Sequence, residues 1–270
     1  MPTVETSAGT TIYYEEHGTG EPLLCVMGLA TDTLGWALQV PTFSQRHRTV
    51  IFDNRDVGRS SAASAPYEVA DMAQDALDLA DAIGLESFHL LGVSMGGAIA
   101  QEMALAAPER VRTLTLTVTF ARGDTWGREL SKVWSTRVRE MPRERHVDEL
   151  LLLNFSEEFF EEPAQVEFVR NLTLQNPNPQ DPEAFARQLA ASSRHDTRDR
   201  LPSLSMPVHV IAGAHDILVP VWKSQEIAEL IPGATLTVLE RAPHGLNAER
   251  AQEYNELVLG FIAEHEPAAV

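Results

Sequence analysis

Gly92-Val93-Ser94-Met95-Gly96 sets a serine between two glycines, each two residues away. A serine on a sharp strand-to-helix turn holds a strained backbone and projects its hydroxyl into a cleft. Bulkier residues two positions to either side would collide, so Gly92 and Gly96 leave room. The flanking sequence supplies the required context. Phe88 to Val93 is an apolar run that reads as a buried strand, and Ala98 to Leu105 reads as a helix. A helix starting at the serine turns its free N–H groups and positive dipole end toward the same spot, which favours a developing oxyanion. The chemistry this pattern can do is nucleophilic attack on an acyl carbonyl.

A serine hydroxyl needs a base to take its proton, and the base needs a carboxylate to orient it. Nine histidines are available. His244 stands in Ala242-Pro243-His244-Gly245, after an apolar run and before a helical one, where Pro243 and Gly245 predict a turn open to a cleft. His89 and His209 fall inside predicted strands and read as core residues. His215 adjoins the loop that carries the candidate acid, and His195 lies in the helical cap region. For the carboxylate, Asp216 follows the run Val208 to Ala212 and precedes a helix, so it is expected beside His244. Asp124, after the Val111 to Val118 strand, is the competitor. Asp53 is expected to brace the loop Asn54 to Ser60.

Two backbone donors are needed for the oxyanion. The N–H of Met95, next to the nucleophile, is one. The N–H of Leu29, in the turn that Gly28 permits after the Leu23 to Met27 strand, is the other.

These residues must be positioned by a sheet. Strands are predicted at Thr10–Glu16, Leu23–Met27, Thr49–Phe52, Phe88–Val93, Val111–Val118, Val208–Ala212 and Thr235–Leu239. Helices are expected within 31–46, over Tyr67–Ile83, after the serine, at Pro220–Leu230 and at Asn247–His265. Alternating strands and helices imply a mainly parallel sheet covered on both faces, with ligands beyond the carboxyl ends of the strands. Residues 121–201 differ: helical patterns dominate and no strand emerges. The expected domains are a core of residues 1–120 and 202–270 and a helical cap of residues 121–201. Trp126, Trp134 and Phe155 are its candidate substrate contacts.

A net charge of −18 argues against nucleic acid and anionic membrane as partners. The single cysteine, Cys25, sits in an apolar run and excludes an internal disulfide. Met1 to Glu5 lacks a basic region followed by an apolar one, and no run is long enough for a membrane span. The expected location is cytoplasmic. No metal or cofactor is expected.

Gly92-Val93-Ser94-Met95-Gly96-Gly97, with Asp216, His244 and the position of the cap, resembles the α/β-hydrolase superfamily from about Thr10 to His265. Asp53 to Ser60 resembles its Asp-x-Arg-Gly-x-Gly-x-Ser segment, with Asp56 where glycine is usual. Val26-Met27-Gly28-Leu29 carries Met27 where histidine is usual, so any hydrogen bond from that side chain is lost while the backbone donors remain. Within the superfamily the chain is similar to small serine carboxylesterases and to lactonases of the enol-lactone and acyl-homoserine lactone types. Ser94, not aspartate, at the elbow separates it from haloalkane dehalogenases and epoxide hydrolases. The resemblance implies hydrolysis of a small-molecule ester or lactone by Ser94, His244 and Asp216. The same triad would also serve a cofactor-free perhydrolase or haloperoxidase, a carbon–carbon bond hydrolase, or a ligand receptor that retains it.

Overall fold

The computed structural model describes residues 2–266. Eight strands form one sheet: β1 (Thr3–Glu5), β2 (Thr11–His17), β3 (Glu21–Val26), β4 (His47–Phe52), β5 (Phe88–Val93), β6 (Val111–Thr117), β7 (Val208–Gly213) and β8 (Thr235–Leu239). Their order is β1-β2-β4-β3-β5-β6-β7-β8. β1 and β2 pair antiparallel, as do β2 and β4, and every later pairing is parallel.

Alternation along each strand sends successive side chains to opposite faces. On β3, Leu24 and Val26 join Val50, Leu90, Leu116 and Val210 on one face. Leu23 and Cys25 join Ile51, Leu91, Val93 and Ile211 on the other. The first face is covered by α2 (Val69–Ala82) and α3 (Met95–Ala106), the second by residues such as Trp36, Phe43 and Tyr254. Burial also raises the Cys25 thiol pKa, so it behaves as a small apolar core residue.

The predicted strands are present with ends shifted by a few residues. β1 was not expected: three residues with one partly buried side chain carry too little alternation to be read. The 31–46 region holds only a 3-10 turn, Thr33–Trp36, and a single helical turn, α1 (Val40–Phe43). The expected helix at Asn247–His265 is two pieces, α10 (Leu246–Glu249) and α11 (Ala251–His265), broken at Arg250.

Between β6 and β7 the chain inserts five helices: α4 (Thr125–Glu140), α5 (Arg143–Asn154), α6 (Glu157–Phe160), α7 (Pro163–Leu174) and α8 (Pro182–Arg194). α4 and α8 pack through a small core of their own, Trp134, Val138, Phe185 and Leu189. α9 (Val221–Leu230) follows β7. Among the described residues no helix is long and apolar enough to cross a membrane.

Candidate active site

β5 ends at Val93 and α3 begins at Met95, leaving Ser94 alone to turn the chain. It does so at φ 56° and ψ −123°. Such a backbone is costly for a side-chain-bearing residue, by about 1–3 kcal/mol, so the surroundings must hold it. The Ser94 N–H donates to Thr117 O at 2.9 Å, and Thr119 Oγ1 donates to Ser94 O at 2.6 Å. The glycines fit their predicted use. A Cβ on Gly92 would run into the backbone of Gly96, and one on Gly96 into the carbonyl of Val26.

His244 comes from the turn between β8 and α10. Its Nε2 lies 3.0 Å from Ser94 Oγ, and its Nδ1 lies 2.7 Å from Asp216 Oδ2. A carboxylate only accepts, so Nδ1 donates and Nε2 is left to accept from the serine hydroxyl. Asp216 follows β7. Its Oδ1 accepts from the N–H groups of Leu218 and Val219, both at 2.8 Å, which fixes the carboxylate plane. The Asp216 side chain is fully buried. Gly245, beside the histidine, donates its N–H to Asn154 O at 2.7 Å, and α5 ends so close that a Cβ on Gly245 would fall 2.8 Å from that oxygen.

Leu29 and Gly28 form the turn after β3. A Cβ on Gly28 would lie 3.0 Å from Ser94 Cβ and 3.1 Å from Val93 O, so the missing side chain lets the turn approach the nucleophile without displacing it. Among the described residues, neither the Leu29 nor the Met95 N–H donates to a protein acceptor. Asp53 braces the neighbouring loop: Oδ1 accepts from Thr33 N at 2.7 Å and Oδ2 from Arg59 N at 2.8 Å. Asp124 makes no hydrogen bond to the histidine, whose Nδ1 is taken by Asp216. Asp124 caps α4 through Gly127 N at 2.7 Å and pairs with Lys223 at 3.1 Å. Burial opposes its ionisation, but the Gly127 N–H and the Lys223 ammonium outweigh that and hold its carboxyl below the usual value.

Ser94 and His244 open into a cavity of about 580 Å³ between the sheet and the inserted helices. Trp126, Trp134 and Phe155 all line it. Trp134 is buried and meets Phe185 edge-on at 5.8 Å, whereas Trp126 is half exposed. Phe155 stacks on Phe159 at 4.2 Å. Leu130, Leu150, Phe185 and Leu189 complete an apolar wall. Leu34, Leu38, Phe168 and Leu172 also line the cavity, yet each is about half or more exposed, which places them at its mouth.

Two further residues escaped the sequence reading. Arg187 and Gln188 of α8 reach down to the loops of the core, Arg187 to Asp56 and Gln188 to Ala30 and Arg55. The signal available was Asp56 itself. A carboxylate where the resembled segment carries glycine needs a cation or donors once buried.

Comparison with known proteins agrees with this fold. The family described as alpha/beta hydrolase fold matches residues 21–251. RutD of Azorhizobium caulinodans, provisionally named a carbamate hydrolase, is 31% identical over 255 residues, covering 94% of this chain and 95% of its own. The 3-oxoadipate enol-lactonase 2 of Acinetobacter baylyi is 30% identical over 235 residues, covering 85% of this chain and 84% of its own. The enol-lactonase structure from Burkholderia xenovorans superposes with a TM-score of 0.88 at 26% identity, over 97% of this chain and all of that one (100%).

Proposed function

This chain belongs to the α/β-hydrolase fold family, and from that premise we propose that it hydrolyses carboxylic esters or lactones through an acyl-enzyme on Ser94. The observation that carries this reading is the continuous relay Asp216–His244–Ser94, at 2.7 and 3.0 Å.

Ser94 Oγ attacks the carbonyl carbon while its proton passes to His244 Nε2. The carbonyl oxygen gains the negative charge and accepts from the N–H groups of Leu29 and Met95. Two such donors in a site shielded from water supply a large share of the barrier reduction, since loss of one oxyanion donor typically costs about 10²–10³-fold in kcat. His244 then returns the proton to the leaving alkoxide as the carbon–oxygen bond breaks. In a lactone that alkoxide stays attached to the acyl group. Water next attacks the acyl-enzyme, His244 takes its proton, and Ser94 recovers it as the acid departs. Asp216 keeps Nδ1–H in place and stabilises the imidazolium formed in each half.

The inserted helices act as the cap of the site. Trp134, Phe155 and their apolar neighbours favour a hydrocarbon or aromatic acyl group over a highly charged one. Kinship to a relative named for carbamates supports a second carbonyl class, attacked by the same serine. The apolar wall favours esters and lactones over small polar carbamates.

The test is hydrolysis of p-nitrophenyl acetate, butyrate and octanoate, an acyl-homoserine lactone and phenyl carbamate by wild type and Ser94→Ala. Turnover of an ester or lactone that disappears in Ser94→Ala supports the reading. Wild type inert toward all of them sinks it, and activity on the carbamate alone transfers it to the second class.

A further inference from the structure

The turn that presents Leu29 has one side-chain bond from within, Thr31 Oγ1 donating to Leu29 O at 3.2 Å from a half-buried position. Met27, at its start, brings no hydrogen-bonding side chain except a weak thioether acceptor, and Gly28 brings no side chain at all. Ala30, at its end, sits at φ 62°, in the left-handed region that disfavours residues with a Cβ. A single hydroxyl bond leaves the N–H side of that peptide to be pinned from outside.

The pins are identifiable. Asn54 Nδ2 donates to Met27 O at 2.9 Å. At the far end, the Ala30 N–H donates to Gln188 Oε1 at 3.1 Å. Gln188 is completely buried and belongs to α8. Its own orientation is over-determined. Its Nε2 donates to Arg55 O at 3.0 Å, and its Oε1 also accepts from Gln180 Nε2 at 2.9 Å. A backbone N–H can only donate and a backbone C=O can only accept, so the amide cannot flip without losing bonds at both ends.

The Ala30 N–H and the Leu29 N–H flank one Cα. Fixing the first fixes the peptide plane that follows Leu29 and so limits where the second can aim. An oxyanion donor displaced by a fraction of an ångström loses much of its effect. We infer that Gln188 is a positioning residue for the oxyanion site: an inserted helix, 158 residues away in sequence from Ala30, supplies a fully buried polar brace on the N–H side of the peptide whose carbonyl Thr31 holds. This rests on the reading of Ser94 as nucleophile with Leu29 and Met95 as oxyanion donors.

The experiment compares wild type with Gln188→Met, which keeps the length of the side chain without its polar end. Steady-state kinetics on p-nitrophenyl butyrate are read beside inhibition by butylboronic acid. The boronic acid adds to Ser94 Oγ and places an oxygen where the oxyanion forms. Thermal unfolding is followed on every variant, and Gln188→Ala replaces the Met variant if that one does not fold. The expected result for Met or Ala is a fall in kcat of about 10–50-fold, with a matching loss of boronate affinity and KM within about threefold. A purely structural role would lower the unfolding temperature without moving kcat and boronate affinity together. A folded Met or Ala variant with kcat and boronate affinity within twofold of wild type overturns the inference alone. So does a rise in KM at constant kcat, which would make Gln188 a substrate contact. If wild type neither turns over an ester or lactone nor binds the boronic acid, the serine-hydrolase reading falls and takes this inference with it.

Discussion

Arg187 lays Nε and Nη2 on the two carboxylate oxygens of Asp56, at 2.9 and 2.7 Å. The Asp56 side chain is fully buried, and it also accepts from the Ala63 N–H and the Tyr67 hydroxyl, each at 2.8 Å. Burial, reinforced by the Asp56 charge, pushes the Tyr67 phenol far up, so its hydroxyl remains a donor. With Gln188 bonded next door and Asn154 O holding the Gly245 N–H, the inserted helices are tied both to the turn that ends at Ala30 and to the turn that carries His244. They are part of the cavity's framework, and the cavity opens at Leu34, Leu38, Phe168 and Leu172.

Removing the Asp56 carboxylate strands the partly buried Arg187 and the Tyr67 hydroxyl. Asp56→Ala is expected to destabilise the fold by about 3 kcal/mol, as for other buried pairs that lose one partner. Asp56→Gly should be milder by about 1 kcal/mol, because Asp56 sits at φ 68° and glycine adopts that conformation without cost. Urea unfolding of the two variants reads the difference. Equal stability of the two would mean that the left-handed backbone carries no cost here.

Asp216 and Asp124 both follow strands, but only Asp216 reaches His244. Asp216→Asn places an amide against Nδ1 and selects the wrong imidazole tautomer, so kcat should fall by about 10³–10⁴-fold. Asp124→Asn loses part of the Lys223 pairing and should leave kcat within a few-fold, with a modest loss of stability. The two kcat values on a p-nitrophenyl ester decide it. Comparable losses in both would return Asp124 to the role of orienting acid.

Acid should weaken the fold before it reaches the carboxylates. Burial, with His47 nearby, lowers the His89 pKa to about 4, and burial does the same for His195. Both rings are therefore neutral in the folded chain at pH values where the unfolded chain, with histidines near 6.5, binds protons. Their contribution is complete above about pH 6.5, declines as pH falls, and is gone by about pH 4. At 1.36 kcal/mol per unit, each accounts for roughly 3 kcal/mol over that window. Imidazole nitrogen shifts followed by NMR against pH check the cause directly. Titration of these two rings near pH 6.5 in the folded chain would remove it.

The three residues that meet, Ser94, His244 and Asp216, were legible because bringing them together leaves local marks. A serine elbow requires Gly92 and Gly96, a histidine turn shows as Pro243-His244-Gly245, and a strand pointing at the site ends just before Asp216. The sheet was legible for a related reason: buried parallel strands are short apolar runs such as Phe88 to Val93. What could not be read depends on which surfaces meet. Arg187 and Gln188 are two polar residues on an amphipathic helix. Their partners lie 131 and 158 residues away, and no periodicity says which loop α8 will cross. Trp126 and Trp134 look alike in sequence, yet one is half exposed and the other is buried against Phe185. β1 was lost because three residues show no pattern.

The mouth gives the last prediction. Phe168 lines the cavity but is 67% exposed, as Leu34 and Leu38 are to a lesser degree. Such a rim offers apolar surface to the part of an acyl chain that the cavity cannot enclose, and gives nothing to a short one. If a long chain covers about 50 Å² of the Phe168 ring, at 25 cal/mol per Å² that surface is worth about 1 kcal/mol of binding. Phe168→Ser should therefore raise KM for p-nitrophenyl octanoate by roughly five- to tenfold, leave acetate and butyrate unchanged, and leave kcat unaltered for all three, since the contact is made equally in ground and transition states. Phe168 belongs to no buried core, so stability should move by less than about 0.5 kcal/mol. A KM for octanoate that stays at the wild-type value would show that long chains enter by another route or lie wholly within the inner wall of Trp134, Phe155 and Phe185.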